Sequence, residues 1–195
     1  MRIGIALFDG AEELDFAGPW EVLGFWASEV AEPKGEVITI GPSTEPITAA
    51  KGLRVLPETT LPDAGPLDVL VMPGGRGTRS LLGPDEPLHT SLQALAEAGT
   101  LMTSVCTGSL VYAAAGLLRG RPATTHWAAL DELAALDPSI QLRPDARFVD
   151  DGDMVTAAGV SAGIDMALHL VMRLDSADAA RRVKREIQYD PEPPI

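Results

Sequence analysis

The chain has 195 residues, 46% of them hydrophobic and 22% charged, with a formal net charge of −13 and one cysteine. That length suits one domain, 1–195, able to bury about 70% of the surface its unfolded chain exposes. The acidity argues against nucleic acid, which needs a basic face; the lone thiol rules out an intrachain disulfide or a Cys-rich metal site; and no run approaches the ~20 apolar residues of a membrane span.

Met1 to Phe8 is too short for a signal peptide, so the expected location is cytoplasmic. Residues 2–8 read as a buried strand stopped by Asp9-Gly10. From Ala11 a helix is predicted to about Ser28, with Pro19 acceptable in its first turn and Trp20, Leu23 and Phe25 or Trp26 on its apolar face. A strand over 35–40 follows, then a small hairpin over 46–56 turning near Lys51-Gly52. A third buried strand, 67–72, stops abruptly at Pro73-Gly74-Gly75-Arg76-Gly77. A helix over 87–98 leads to a buried strand over 100–105, and an Ala- and Leu-rich helix over 108–116 comes next. Residues 123–126 read as a short strand ended by His126, and 127–136 as a helix. Residues 148–158 alternate around Asp151-Gly152 as a hairpin does. Helices over 162–173 and 177–188 precede a Pro-rich end at 191–194 that can continue neither a helix nor a central strand.

Strands alternating with helices imply an α/β fold with a parallel sheet covered on both faces. In open α/β sheets ligands bind beyond the carboxyl ends of the strands. Three loops are predicted there, Asp9 to Asp15, Gly74 to Gly77 and Cys106-Thr107, with His126 ending a further strand.

Cys106 falls on the turn from a strand to a helix. It is either a small buried hydrophobe or a nucleophile whose pKa is lowered at a helix N-terminus. Gly74 and Gly75 either form a tight turn or present N–H groups that, with the N–H of Thr107, stabilise a developing negative charge. Asp15 is either a cap at the helix start or an acid held near the thiol. Glu12 and Glu13 read as solvated. His126 can act on the thiol or bond a carbonyl beside Trp127, and His89 and His169 look structural. Three scattered histidines without a spaced carboxylate do not make a catalytic metal site.

The motifs Gly10-Ala11-Glu12-Glu13-Leu14-Asp15, Val71-Met72-Pro73-Gly74-Gly75, Val105-Cys106-Thr107-Gly108 and Ala123-Thr124-Thr125-His126, in this order, resemble the ThiJ/PfpI superfamily. The resemblance implies a flavodoxin-like three-layer sandwich, with a mostly parallel sheet and helices on both faces, of the class I glutamine amidotransferase-like kind. Within the superfamily, Leu14 to Pro19, Thr103 to Val111, Ala114 to Leu118, Thr124 to Trp127 and Ala162 to Asp165 are most similar to the isonitrile hydratase branch, as is the Pro-rich end from Tyr189. Thr107 stands where the PfpI-type proteases carry a His, and Asp15 where the deglycase and glyoxalase relatives carry a Glu. Related sensor domains of AraC-type regulators continue into a helix-turn-helix domain, for which a chain ending at Ile195 leaves no room.

The resemblance implies a cysteine-dependent hydro-lyase that adds water to an isonitrile and yields an N-substituted formamide through a Cys106 thioimidate. Cys106, Asp15 and Thr107 would be catalytic. Gly75 and Gly74 would hold the adduct, and His126 would stand one step behind them. It implies no metal and no organic cofactor, a small-molecule substrate, and a homodimer with the nucleophile near the interface. Chemistry on α-oxoaldehydes and a redox- or ligand-sensing domain are the alternatives.

Overall fold

A computed structural model describes residues 1–191; the rest of the Pro-rich end, 192–195, lies outside it. The chain opens on β1 (Arg2–Ala6), whose Ile3 and Ile5 are fully buried. Helix α1 (Glu13–Phe25) follows and runs into a π-turn, Trp26–Val30, in which the Ala31 N–H donates to the Trp26 carbonyl at 2.8 Å. Next come β2 (Glu36–Gly41), the antiparallel pair β3 (Ile47–Thr48) and β4 (Arg54–Val55), the two-residue β5 (Thr59–Thr60) and the wholly buried β6 (Val69–Met72). A 3-10 turn over Arg76–Leu81 leads to α2 (Pro87–Glu97), which begins on Pro87 with Glu86 accepting from the Leu88 N–H. The buried β7 (Leu101–Val105) then delivers the chain to α3 (Gly108–Ala114). The remainder comprises β8 (Pro122–Ala123), α4 (Leu130–Leu136), β9 (Gln141–Leu142), β10 (Phe148–Asp150), β11 (Met154–Ala157), α5 (Ala162–Leu174) and α6 (Ala177–Glu186).

Seven of these strands form one sheet in the order β10-β11-β7-β6-β1-β2-β5, parallel throughout except for β10. From β1 the chain builds outward to β2 and β5 on one side, then crosses to β6, β7 and β11 on the other. The reversal lies between β1 and β6, where ligands bind in open α/β sheets. Helices α1, α5 and α6 form one layer and α2, α3 and α4 the other, so the expected three-layer α/β sandwich is present. Buried strand residues such as Val69, Leu70, Val71 and Met72 have no polar alternation because both sheet faces are covered. Among the described residues no helix is long and apolar enough to cross a membrane.

Several boundaries and neighbours differ from expectation. Helix α1 buries Phe16, Val22, Leu23 and, just beyond its end, Trp26, which form one stripe; Trp20 stands beside that stripe and is 37% exposed. The Trp26 indole N–H instead reaches Asp175 at 2.9 Å, fixing the π-turn to the end of α5. The strand expected at 123–126 is only Pro122–Ala123, and it pairs with β9 in a separate two-stranded sheet. Thr124 and Thr125 leave it because their polar groups bond elsewhere: the Thr124 N–H donates to Thr156 Oγ1 at 2.9 Å and Thr125 Oγ1 to the Cys106 carbonyl at 2.9 Å. His126 therefore ends no strand of the main sheet. The hairpins at 46–56 and 148–158 form as expected.

The fully buried Tyr112 on α3 clamps that helix to β7, its hydroxyl donating to the Thr103 carbonyl at 3.0 Å. Tyr112→Phe is expected to lower stability by about 1 kcal/mol, the net value of a typical buried hydrogen bond. A lower urea midpoint with an unchanged denaturant slope is the measurement that checks it.

Candidate functional site

Strand β7 ends at Cys106, whose φ of +56° puts a non-glycine residue in the left-handed region. That conformation costs roughly 1–2 kcal/mol and persists only where the surroundings impose it. Here they do so from both sides. The Cys106 N–H is shared between the Ala157 and Ala158 carbonyls at 3.1 and 3.0 Å. The Cys106 carbonyl accepts from Thr125 Oγ1 at 2.9 Å and from Ser109 Oγ at 3.2 Å. The elbow holds the thiol at the carboxyl end of the sheet, 6% exposed.

Asp15 lies in the first turn of α1 with no exposed surface. Its Oδ2 accepts from the Gly74 N–H at 2.9 Å, which ties α1 to the loop after β6. Its Oδ1 is buried and meets no donor at full hydrogen-bond geometry among the described residues. The Cys106 thiol is nevertheless near enough to act on the carboxyl as a side-chain donor, so the two groups titrate as neighbours. Burial pushes the Asp15 carboxyl up to about 7, against the lowering pull of the Gly74 N–H. Burial, and next the charge of Asp15, push the Cys106 thiol up to about 12. The thiol was expected to be lowered at a helix N-terminus. Desolvation wins because the thiol is almost fully buried and α3 has only seven residues. The Thr107 N–H and side chain oppose that rise, favouring the thiolate.

Gly74 and Gly75 sit where expected, with their N–H groups already engaged. That of Gly74 holds Asp15, and that of Gly75 donates to Thr107 Oγ1 at 2.9 Å. Thr107 Oγ1 in turn donates to the Gly75 carbonyl at 3.2 Å, and Thr78 Oγ1 lies 3.3 Å from it. These glycines thus orient the acid and the threonine rather than leaving N–H groups free for an oxyanion. Close approach explains the residue type. A Cβ on Gly74 would lie 2.4 Å from the Thr107 nitrogen, and one on Gly75, whose φ is +118°, would lie 2.3 Å from the Gly10 carbonyl.

A pocket of about 300 Å³ opens over the thiol, lined by Cys106, Thr107, Gly75, His126, Arg76 and Val160 among others. Asp15 does not line it and is buried next to the thiol. His126 borders the pocket but caps the turn Trp127–Ala129, its Nδ1 accepting from the Ala128 N–H at 3.2 Å. No hydrogen bond joins it to Cys106. Glu12 and Glu13, expected to be solvated, are partly buried at the rim and hold Lys51 between them. His89 bonds the Leu81 carbonyl and His169 pairs with Asp150, both away from the pocket. Among the described residues no group of three or more His, Cys, Asp or Glu is placed to hold a metal ion. A second cavity of about 290 Å³, between Phe8, Ile40, Leu61 and Leu92, is apolar, and its one carboxylate, Glu86, caps α2.

Two contributors escaped the sequence. Thr125 carries the elbow carbonyl, and Arg79 reaches the Gly75 carbonyl at 3.3 Å while pairing with Glu132. A threonine in a Thr-Thr-His run was a visible signal for the first; nothing local marked the second.

The DJ-1/PfpI family model matches residues 1–173. The chain is 40% identical over 195 residues to an isonitrile hydratase of Pseudomonas putida, covering 100% of this chain and 81% of that protein. It is 28% identical over 188 residues to the Parkinson disease protein 7 homolog of Danio rerio, covering 94% of each. It is 29% identical over 144 residues to the HTH-type transcriptional regulator GbdR of Pseudomonas aeruginosa, covering 74% of this chain and 38% of that one. The crystal structure of a ThiJ/PfpI family protein from Pseudomonas syringae superposes with a TM-score of 0.85 at 32% identity, covering 100% of this chain and 77% of that one.

The raised Asp15 pKa has a stability consequence. Between about pH 4 and 7 the folded state holds a proton that the unfolded chain releases, so stability falls as pH rises through that window and levels off above it. Asp15→Asn keeps an acceptor for the Gly74 N–H and removes the buried charge. It is expected to be more stable than the parent at pH 8 by on the order of 2 kcal/mol, a gain that shrinks toward pH 5. Thermal unfolding at the two pH values checks this, and the same variant should ionise Cys106 at lower pH, read from thiolate absorbance.

Proposed function

This chain belongs to the DJ-1/PfpI family, and from that premise we propose that it is an isonitrile hydratase, adding water to R–N≡C to give R–NH–CHO. The observation that carries the reading is the buried Asp15 carboxyl neighbouring the Cys106 thiol, which itself lines a pocket. The full-length likeness to an isonitrile hydratase supports it. So does Thr107 directly after the thiol, where a Cys-His hydrolase would need its base.

Two neighbouring groups pushed up to about 7 and about 12 hold one proton between them over the pH range in between. That is the charge state the reaction needs. The terminal isonitrile carbon enters the pocket and the sulfur attacks it, forming an S–C bond. The thiol proton passes to Asp15 Oδ1, which has no competing donor, and on to the same carbon. The product is a thioimidate, R–N=CH–S–Cys106, with no net gain or loss of electrons. Water then adds to that carbon while the Asp15 carboxylate accepts its proton and returns it to nitrogen. The C–S bond of R–NH–CH(OH)–S–Cys106 breaks, the formamide leaves, and the hydroxyl proton returns to the Asp15–Cys106 pair. The Thr107 N–H and hydroxyl, braced by Gly75, favour negative charge on sulfur at attack and departure. No step calls for a metal or an organic cofactor.

The raised thiol pKa and the burial of Cys106 weigh against a redox sensor, which needs an exposed thiolate. We read the chain as one domain of this family, acting in the cytoplasm on a small molecule. We also infer a homodimer: Leu14 and Trp20 on α1 and Met172 on the adjoining α5 are large apolar side chains left 37–46% exposed. Light scattering at micromolar concentration tests the dimer, and a monomer would count against it.

Incubation with an aryl isonitrile should yield the formamide, with kcat/KM rising with pH through an apparent pKa near 7 as the pair loses its first proton. Asp15→Asn should lower turnover by about 10²- to 10⁴-fold, the usual contribution of a general acid–base. Cys106→Ala should abolish it, and formamide formation that survives this change would sink the covalent scheme.

A further inference from the structure

Three cationic side chains line the pocket over Cys106: Lys51, Arg76 and Arg79. Two are already neutralised. Lys51 lies between Glu12 and Glu13, and Arg79 pairs with Glu132 while its Nη1 donates to the Gly75 carbonyl at 3.3 Å. Arg76 has no carboxylate and no hydrogen-bond partner among the described residues, and its side chain is exposed at the mouth. The mechanism above gives it no task.

Its backbone is nonetheless fixed. Arg76 opens the 3-10 turn directly after Gly75, whose residue bridges to Ala11. On its other side the Gly77 N–H donates to the Gly10 carbonyl at 3.2 Å, and a Cβ on Gly77 would lie 1.9 Å from the Asp9 carbonyl. The same loop contacts position Asp15 and Thr107, so the guanidinium is rooted in the scaffold that sets the reacting groups. A chain carrying −13 repels anions at long range, and an unpaired guanidinium is retained at the entrance of this pocket.

We propose that Arg76 is a specificity-determining residue that binds an anionic group, in the first instance a carboxylate, on the substrate. The substrate class is then an isonitrile whose substituent carries a carboxylate, with the isonitrile carbon directed at Cys106 and the anion held at the mouth. Guanidinium and carboxylate match as a two-pronged pair, and Arg keeps its charge throughout the working pH range. The identity of the reacting group rests on the hydratase reading; the anion site does not.

The test uses the intact protein and two measurements. The first is calorimetric binding of 4-formamidobenzoate and of 4-formamidobenzamide, which differ in charge and little in size. The carboxylate should bind about fivefold more tightly, the factor an exposed ion pair supplies. That ratio should fall with added salt, approach one in Arg76→Gln, and be reduced but not lost in Arg76→Lys, which keeps the charge without the two-pronged geometry. Equal affinities in the parent protein, no binding of either compound, or a preference that Arg76→Gln leaves intact would each overturn the proposal. The second is the kcat/KM ratio for 4-isocyanobenzoate over phenyl isonitrile, expected to fall through KM in Arg76→Gln. Turnover of neither isonitrile, with the binding preference retained, would remove the hydratase reading and leave the anion site standing.

Discussion

The site depends on an acid and a thiol buried together with too few donors to keep both ionised. Asp15 has one firm hydrogen bond, from Gly74, and one oxygen left toward Cys106. Burial raises both pKa values, so the pair retains a proton where separate groups would have lost one. The surrounding structure serves this constraint. Strand β7 ends at the elbow, β6 ends at the loop that bonds the carboxyl, and α1 starts where it can carry the carboxyl inward. Loosening any of the three would admit water, and water would separate the two titrations.

A buried carboxyl at pKa about 7 is costly to the fold. The cost is offset by a covered parallel sheet and by helices packed over it, with Trp26, Tyr112 and Leu110 essentially sealed from solvent. It is also localised. Gly75 and Thr107 connect the ends of β6 and β7 by hydrogen bonds, and the Gly74 N–H links the same loop to Asp15 on α1. Those contacts use the loop N–H groups to aim side chains, so in the proposed reaction stabilisation of the reacting atoms falls to Thr107 and to Asp15.

Much of this was legible in the residues. Short strand-forming runs such as Val69 to Met72 and Leu101 to Val105, followed by a Pro-Gly-Gly or a Cys-Thr-Gly turn, mark buried strands and the loops beyond them. Hence the sheet and its parallel sense could be read in advance, while Asp15 stayed open between a helix-start cap and an acid beside the thiol. What could not be read depends on distant partners. Thr124 and Thr125 look like strand residues, yet their groups bond Thr156 and the Cys106 carbonyl, so the strand ends at Ala123. Trp20 and Trp26 are equally apolar, and only the helix rotation separates the exposed one from the buried one. The direction of the thiol pKa was misread because a helix start is visible in sequence and the depth of burial is not.

The glycine contacts bear on how such a protein can vary. Because a methyl group at position 74 would sit 2.4 Å from the Thr107 nitrogen, two loops about thirty residues apart in the chain share one steric allowance. A substitution in either loop is judged against the other, although neither alters a reacting atom. In a mutational landscape, position 74 would rank beside Cys106 in intolerance. The pocket wall at Arg76 and Val160 carries no such steric constraint, so it can vary while the Asp15–Cys106 pair and its glycines stay fixed.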